Sequence, residues 1–171
     1  MNASGISVRS FNLSDAEDVL KWAGDDRVTQ YLPWSSLKTK EEAVSFIEKV
    51  AVPHPWRRSI CLNNRSIGYV SAKPGAGDDR CRGHVSYAVG ADHWGKGRVA
   101  EALRMAIPLV FKQFPQLYRI EALVDVDNKG SQRVLQKPGF AEEGLLRKYG
   151  FCKGQVRDFL IYSFLATDKL L

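Results

Sequence analysis

The chain has 171 residues, 44% of them hydrophobic and 26% charged, the balance of a folded chain with a core rather than a disordered one. No apolar run approaches the roughly 18–20 residues that span a bilayer, and "MNASGISVRSFNLSD" has no basic segment followed by an apolar one, so neither a secretory leader nor a membrane partner is expected. The formal net charge of +6 is spread over dispersed Lys and Arg, with pairs such as Arg57-Arg58 as the longest basic elements; this suits an anionic small ligand better than nucleic acid as primary ligand.

Cys61, Cys81 and Cys152 are scattered without metal spacing or a disulfide framework. A reduced compartment, cytoplasmic or nuclear, is expected, with no metal site. No repeat, low-complexity tract or linker interrupts the chain, so one domain over residues 1–171 is expected. Oligomeric state, monomer or dimer, is not legible.

In chain order, "ISVRSFN" alternates as a half-buried strand. "LSDAEDVLKWAG" predicts a helix capped by Ser14 and stopped at Gly24. "YLPWSS" breaks regularity at Pro33. "KTKEEAVSFIEKV" predicts an amphipathic helix capped by Thr39, with Ala43, Phe46, Ile47 and Val50 inward. "RRSICL", "RSIGYVSAK" and "RGHVSYAVG" read as strands, the first two joined by a hairpin turn in "LNNR" and the third preceded by the turn "PGAGDDRC".

The strongest helical period follows in "KGRVAEALRMAIPLVFKQF", where Val99, Ala102, Leu103, Ala106, Ile107, Val110, Phe111 and Phe114 share a face. Pro108 inside it predicts a kink. "LYRIEALVDVD" is an apolar strand, "NKGSQRVLQK" a short helix capped by Asn128 and ended by Pro138-Gly139, and "FAEEGLLRKYGFCKGQVRDFLIYSFL" a pair of strands turning at "CKGQ". The order β-α-α-β-β-β-α-β-α-β-β predicts a mixed α/β (α+β) fold: a mainly antiparallel sheet of six to seven strands with helices on both faces.

The segment "GADHWGKGRVAEAL" carries the chemistry. Gly90-x-x-x-x-Gly95-Lys96 is most of a P-loop, but Gly97 stands where a Ser or Thr would hold Mg²⁺. The preceding "HVSYAVG" also alternates, unlike a buried parallel strand. What remains is a glycine-lined entry to a helix N-terminus. Unpaired amides and the helix dipole favour an anion there, with Lys96 and Arg98 adding charge. A plain tight turn into a helix is the alternative.

"SYAVGADHWGKGRVAEAL" together with "YRIEALVDVDNKGSQRVLQKPGFAEEGLLR" resembles the GNAT superfamily of N-acetyltransferases, in its ribosomal-protein (RimJ/RimL-type) branch. The resemblance runs from "VRSFNLSD" to "VRDFLIYSFL". Trp94, Gly95, Lys96, Gly97, Glu101 and Ala102 match the branch's loop pattern, and Val99 stands where Gly or Ala is usual. Asn128, Ser131, Lys137, Gly139 and Phe140 match the second motif, in which Pro138 is unusual.

The resemblance implies an acyl-CoA N-acyltransferase fold, acetyl-CoA as cosubstrate and direct acetyl transfer to a primary amine, a protein or peptide α-amine being favoured by the branch. It implies pyrophosphate binding by the backbone of Trp94, Gly95, Lys96, Gly97, Arg98 and Val99, with crowding expected at Val99. Pantetheine would pair with the strand edge near Tyr87 and Val89 and bond to Asn128, whose other role is a helix cap.

Acetyl transfer needs a neutral amine, a polarised carbonyl and a proton for the leaving thiolate. A Tyr often serves the last role in the family; here Leu135 holds that position, and Ser131 matches the branch's proton donor, with a first-turn helix serine as the alternative. Glu121 and His84 are base candidates, Glu121 either bordering a cleft or ion-paired. Tyr31 and Trp34 are candidate walls for the acceptor, or packing between the first two helices; Tyr149 is a weaker one. Neither motif contains Cys, which disfavours an acetyl-cysteine intermediate. Two other readings stay open on sequence: a catalytically weak acyl-CoA-binding module and a P-loop nucleotide-binding protein.

Overall fold

The computed structural model describes residues 4–171. One sheet of seven strands runs through it: β1 Ile6–Arg9, β2 Arg57–Leu62, β3 Arg65–Pro74, β4 Arg82–Val89, β5 Arg119–Asp125, β6 Ala141–Cys152 and β7 Gln155–Leu165, in the order β1-β2-β3-β4-β5-β7-β6. Every neighbour pair is antiparallel except β4–β5. The β2–β3 hairpin turns on Asn63 and Asn64, with φ of 48° and 67°, the left-handed conformations that Asn tolerates in a tight hairpin. Lys153 and Gly154 do the same between β6 and β7.

Helices cover both faces. On one side lie α1 Ala16–Ala23, α2 Asp26–Thr29 and α3 Lys40–Phe46; on the other lie α4 Arg98–Gln113 and α5 Lys129–Gln136. Helix α4 buries Val99, Ala102, Leu103, Ala106, Ile107 and Val110 against Val70, Val85, Ile120 and Val124 of the sheet. At about 1.5–3 kcal/mol for each large side chain, this stripe is a principal contribution to the core. On the opposite face Trp22, Phe46 and Ile47 pack with Tyr69.

The local signals hold at most helix ends and fail at two. Thr39 Oγ1 accepts from Glu42 N at 3.2 Å while Glu42 Oε2 reaches back to Thr39 N, a capping box. Ser14 is not the cap expected of it. The chain enters α1 through a short 3₁₀ turn, Leu13–Asp15, tied back where Asp15 Oδ2 accepts from Asn12 N at 2.9 Å. The Asp15 carboxylate, one residue before α1, thus sets the entry. Val50 is exposed rather than inward, because α3 widens into a π turn over Ile47–Ala51, closed by Val52 N donating to Ile47 O at 2.9 Å. The extra residue rotates the face, and Ala51 is buried instead. Pro108 does not end α4, which continues to Gln113 with Pro108 on its exposed side.

Candidate active site

The one parallel pair creates the central feature. β4 and β5 pair only where Arg82, Gly83 and His84 face Arg119, Ile120 and Glu121. Beyond His84 the strands diverge: β4 stays with β3 as far as Val89, and β5 stays with β7 as far as Asp125. Gly90 N donates to Ile67 O at 2.8 Å. In an antiparallel ladder bonded and non-bonded pairs alternate, so the backbone groups of Val85, Tyr87 and Val89 point away from β3 and into the gap. The Val89 carbonyl accepts from Trp94 Nε1 at 2.9 Å.

Helices α4 and α5 follow β4 and β5 respectively, so both begin at the open end of this gap. Gly97 is the residue before α4 and takes φ of 74°; Gly95 takes 71°. A Cβ at either position would meet no atom within 4 Å, so the loop is open on that side. The amides from Gly95 to Ala100 donate to no acceptor among the described residues, a row of free donors of the kind that favours an anion. Lys96 Nζ is held to Asp92 O at 2.8 Å and Arg98 to the His93 ring, without a carboxylate partner. The Val99 side chain belongs to the core cluster beneath α4, so its branched carbons do not line the open loop.

At the start of α5, Asn128 Oδ1 accepts from Ser131 N at 3.1 Å, which leaves the Asn128 amide hydrogens for another partner. Ser131 Oγ lies 2.6 Å from the Tyr87 hydroxyl, and that hydroxyl is 3.1 Å from Ser131 O. Burial pushes the Tyr87 phenol above its usual value, so it stays protonated at neutral pH. Leu135 is fully buried in the core. Sequence reasoning singled out the backbone of Tyr87 and the side chain of Ser131 separately; their contact, made by strand β4 facing helix α5, has no sequence signal.

The other face of the gap has its own side chains. Opposed residues share a face, which aligns Arg57, Ser71 and Ser86 in one row and Lys73, His84, Glu121 and Ser163 in the next. Glu121 Oε1 accepts from Arg82 at 2.7 Å, and Oε2 lies 3.2 Å from Arg119, which also holds Glu143. Both expectations for Glu121 are met: it is ion-paired, and it borders a cleft lined also by Lys73, Arg82 and His84. Desolvation pulls the His84 imidazole below its usual value, opposed by Glu121.

Trp34 is half-buried against Trp22 and Phe46, with ring centroids 6.5 and 5.7 Å apart. Tyr31, three residues earlier, is half-buried in the same loop. Across the gap, exposed Tyr149 packs edge-on to Phe159. The β6–β7 turn reaches over to this loop, where Lys153 Nζ donates to Trp34 O at 2.5 Å. This bridge was not foreseen from sequence, since it joins residues 119 apart through a lysine in a turn. Among the described residues no group of His, Cys, Asp and Glu could hold a metal, and no helix is long and apolar enough to cross a membrane.

The antiparallel pairing of β4 with β3 and the glycine at position 97, where a P-loop carries Ser or Thr, disagree with a nucleotide P-loop, and comparison with known proteins replaces that reading. Residues 6–141 match the family model of the acetyltransferase (GNAT) domain. An uncharacterized N-acetyltransferase, YoaA, of Bacillus subtilis is 30% identical over 166 residues, covering 94% of this chain and 93% of that protein. The [ribosomal protein uS5]-alanine N-acetyltransferase of Escherichia coli is 32% identical over 85 residues, 50% of this chain and 43% of that one. Mycobacterium smegmatis RimJ, solved in complex with CoA-disulfide, superposes with a TM-score of 0.79 at 25% identity, covering 94% of this chain and 82% of that one. The seven-stranded splayed sheet, the matched family model and the full-length relative together place the chain in the GNAT family: it is an N-acetyltransferase.

Proposed function

We propose that the protein is a single-domain enzyme that transfers the acetyl group of acetyl-CoA directly to a primary amine, a protein or peptide N-terminal α-amine being the acceptor class favoured by its ribosomal-protein-modifying relatives. The observation that carries the reading is the row of unpartnered amides from Gly95 to Ala100 at the open end of the β4–β5 gap. The fit to CoA is supported by the open space at Gly95 and Gly97 and by a backbone-held pyrophosphate having no need of the Ser or Thr that Gly97 replaces.

Gly95 to Val99 would receive the pyrophosphate through their backbone, with Lys96 and Arg98 adding positive charge; the Trp94 amide, expected from sequence to join them, is instead given to Ala91 O at 3.1 Å. The inward-facing backbone groups of Tyr87 and Val89 would pair with the amide-bearing pantetheine arm as an added strand, and the Asn128 side-chain amide would donate to it. An N–H directed into the gap would polarise the thioester carbonyl. Bond formation between the amine nitrogen and the carbonyl carbon breaks the carbon–sulfur bond. The departing thiolate would take a proton relayed through the Ser131 hydroxyl, which lies 2.6 Å from the Tyr87 hydroxyl, and water at the open end of the gap would return a proton to this pair, balancing the one the amine releases to solvent. The amine loses its proton on the opposite face of the sheet. Glu121, with both oxygens committed to arginines, orients that face; a water chain leading past His84 carries the proton away. Tyr31 and Trp34 wall the acceptor on one side and Tyr149 on the other, beneath the Lys153 bridge.

Calorimetry with acetyl-CoA and with Mg-ATP, followed by release of free CoA thiol on adding an amine and peptide panel, tests the proposal. Acetyl-CoA binding with thiol release is expected. Binding of Mg-ATP in preference to acetyl-CoA would overturn it.

A further inference from the structure

Each half-buried arginine but one has a partner for its side chain among the described residues: Arg58 and Arg104 donate to backbone carbonyls, Arg98 meets the His93 ring, and three hold carboxylates. Arg9 is paired with Asp15, Arg119 with Glu143 and Glu121, and Arg157 with Asp125. Arg57 is different. It is half-buried on β2, yet its guanidinium makes no hydrogen bond and no ion pair among the described residues, and its Nε is shielded from solvent without an acceptor. Its central carbon lies 4.8 Å from the Tyr69 ring centroid and 5.9 Å from that of Phe46. The aromatic faces offset part of the cost of burying the cation but supply no acceptor for its five N–H groups. Burial pulls the guanidinium below its usual value.

The position of this cation matters. Arg57 shares a row and a face with Ser71 and Ser86, whose hydroxyls are 2.9 Å apart. Ser86 lies on β4 just beyond His84, where the strands begin to diverge. The Tyr69 ring over which the guanidinium leans belongs to a residue paired with Ala88 of β4. Phe46, which the guanidinium also covers, packs on Trp34. The unpaired cation therefore stands on the same sheet face as Ser86, His84 and Glu121, the face proposed above to hold the acceptor, whereas α4 covers the opposite face.

We propose that Arg57 is a specificity-determining residue that receives an anionic group of the acceptor, a carboxylate or a phosphate carried on the same molecule as the reacting amine. The planar guanidinium fits two oxygens at once, and Ser71 and Ser86 offer further hydroxyls along the row. The proposal rests on the reading of the gap as an acetyl-CoA site.

The test compares matched acceptors by CoA-thiol release: peptides differing only in Glu or Gln, or Asp or Asn, at their second and third positions; glycine against glycinamide; phosphoethanolamine against ethanolamine. The wild type is expected to favour the anionic member of at least one pair type by about 10- to 100-fold in kcat/KM, and the pair type identifies peptide carboxylate, small carboxylate or phosphate as the source. In Arg57→Gln that ratio falls towards one, and Arg57→Lys restores part of it. Equal use of both members by the wild type, or an unchanged ratio in Arg57→Gln, overturns the proposal. Independently of turnover, the ¹⁵N resonance of Arg57 Nε in the CoA-bound protein should move when the anionic probes are titrated in and stay still with their neutral partners; no movement with any anionic probe also overturns it. Calorimetry with acetyl-CoA separates the two levels. Loss of acetyl-CoA binding in the wild type would contradict the cosubstrate assignment, whereas intact binding with no anion preference contradicts only the role of Arg57.

Discussion

Replacing Gly97 by Glu puts a carboxylate where the loop amides await an anion. Gly97 has a φ of 74°, and a side chain there would stand in open space, so the substitution introduces no clash. It does force a residue with a Cβ into the left-handed region, at a cost of roughly 1–2 kcal/mol to folding. Gly97→Ala carries the same backbone cost without the charge and is the proper reference. A carboxylate about 5 Å from a phosphate charge is repelled by about 3 kcal/mol at an effective dielectric of 20 and by about 1 kcal/mol in water. An exposed loop lies between these limits, and about 2 kcal/mol corresponds to about 30-fold in affinity. Titration calorimetry with CoA at low salt should show Gly97→Glu binding about 30-fold more weakly than Gly97→Ala, with the gap narrowing as salt rises. Equal affinity of the two variants would refute the placement of the pyrophosphate on this loop.

Ser131→Ala and Tyr87→Phe should each lower kcat by about 100-fold and leave the Kd for acetyl-CoA nearly unchanged; a parallel loss in both parameters would reduce the pair to a structural contact. Lys153→Ala removes the bridge to Trp34 O and should raise the KM for acceptor several-fold without changing the Kd for CoA, as steady-state kinetics would read. Arg157 holds the buried carboxyl of Asp125 below its usual value, at 2.8 Å. A depressed carboxylate contributes stability above the pKa it has when unfolded, about 3.9, and loses it as pH falls through the lower folded value. Asp125→Asn should therefore cost about 3 kcal/mol at pH 7 and flatten the fall in stability below about pH 4, measurable by urea unfolding across pH.

The α4 stripe was legible because Val99, Leu103, Ala106 and Val110 repeat at helical spacing and all are buried. Asn63-Asn64 and Thr39 were equally legible, since their side chains decide backbone geometry locally. What escaped the sequence was set by tertiary placement. A π turn moved Val50 outward, and a 3₁₀ turn tied back from Asp15 to Asn12 N replaced the cap expected at Ser14. The loop around Gly95 and Gly97 was read from its own residues. The Tyr87–Ser131 contact, the two arginines on Glu121 and the unpaired Arg57 required strands from distant parts of the chain to come into register. No local pattern encodes those meetings.

The central claim is acetyl transfer from acetyl-CoA to an amine at the β4–β5 gap. Incubation of the purified protein with acetyl-CoA and the amine and peptide panel, with free CoA thiol and acetylated amine quantified together by mass spectrometry, tests it most directly. Equal molar appearance of the two, strongly reduced in Ser131→Ala, is the predicted result. Thiol release with no acetylated amine, or an acetylated amine formed equally well by Ser131→Ala and Gly97→Glu, would contradict the account.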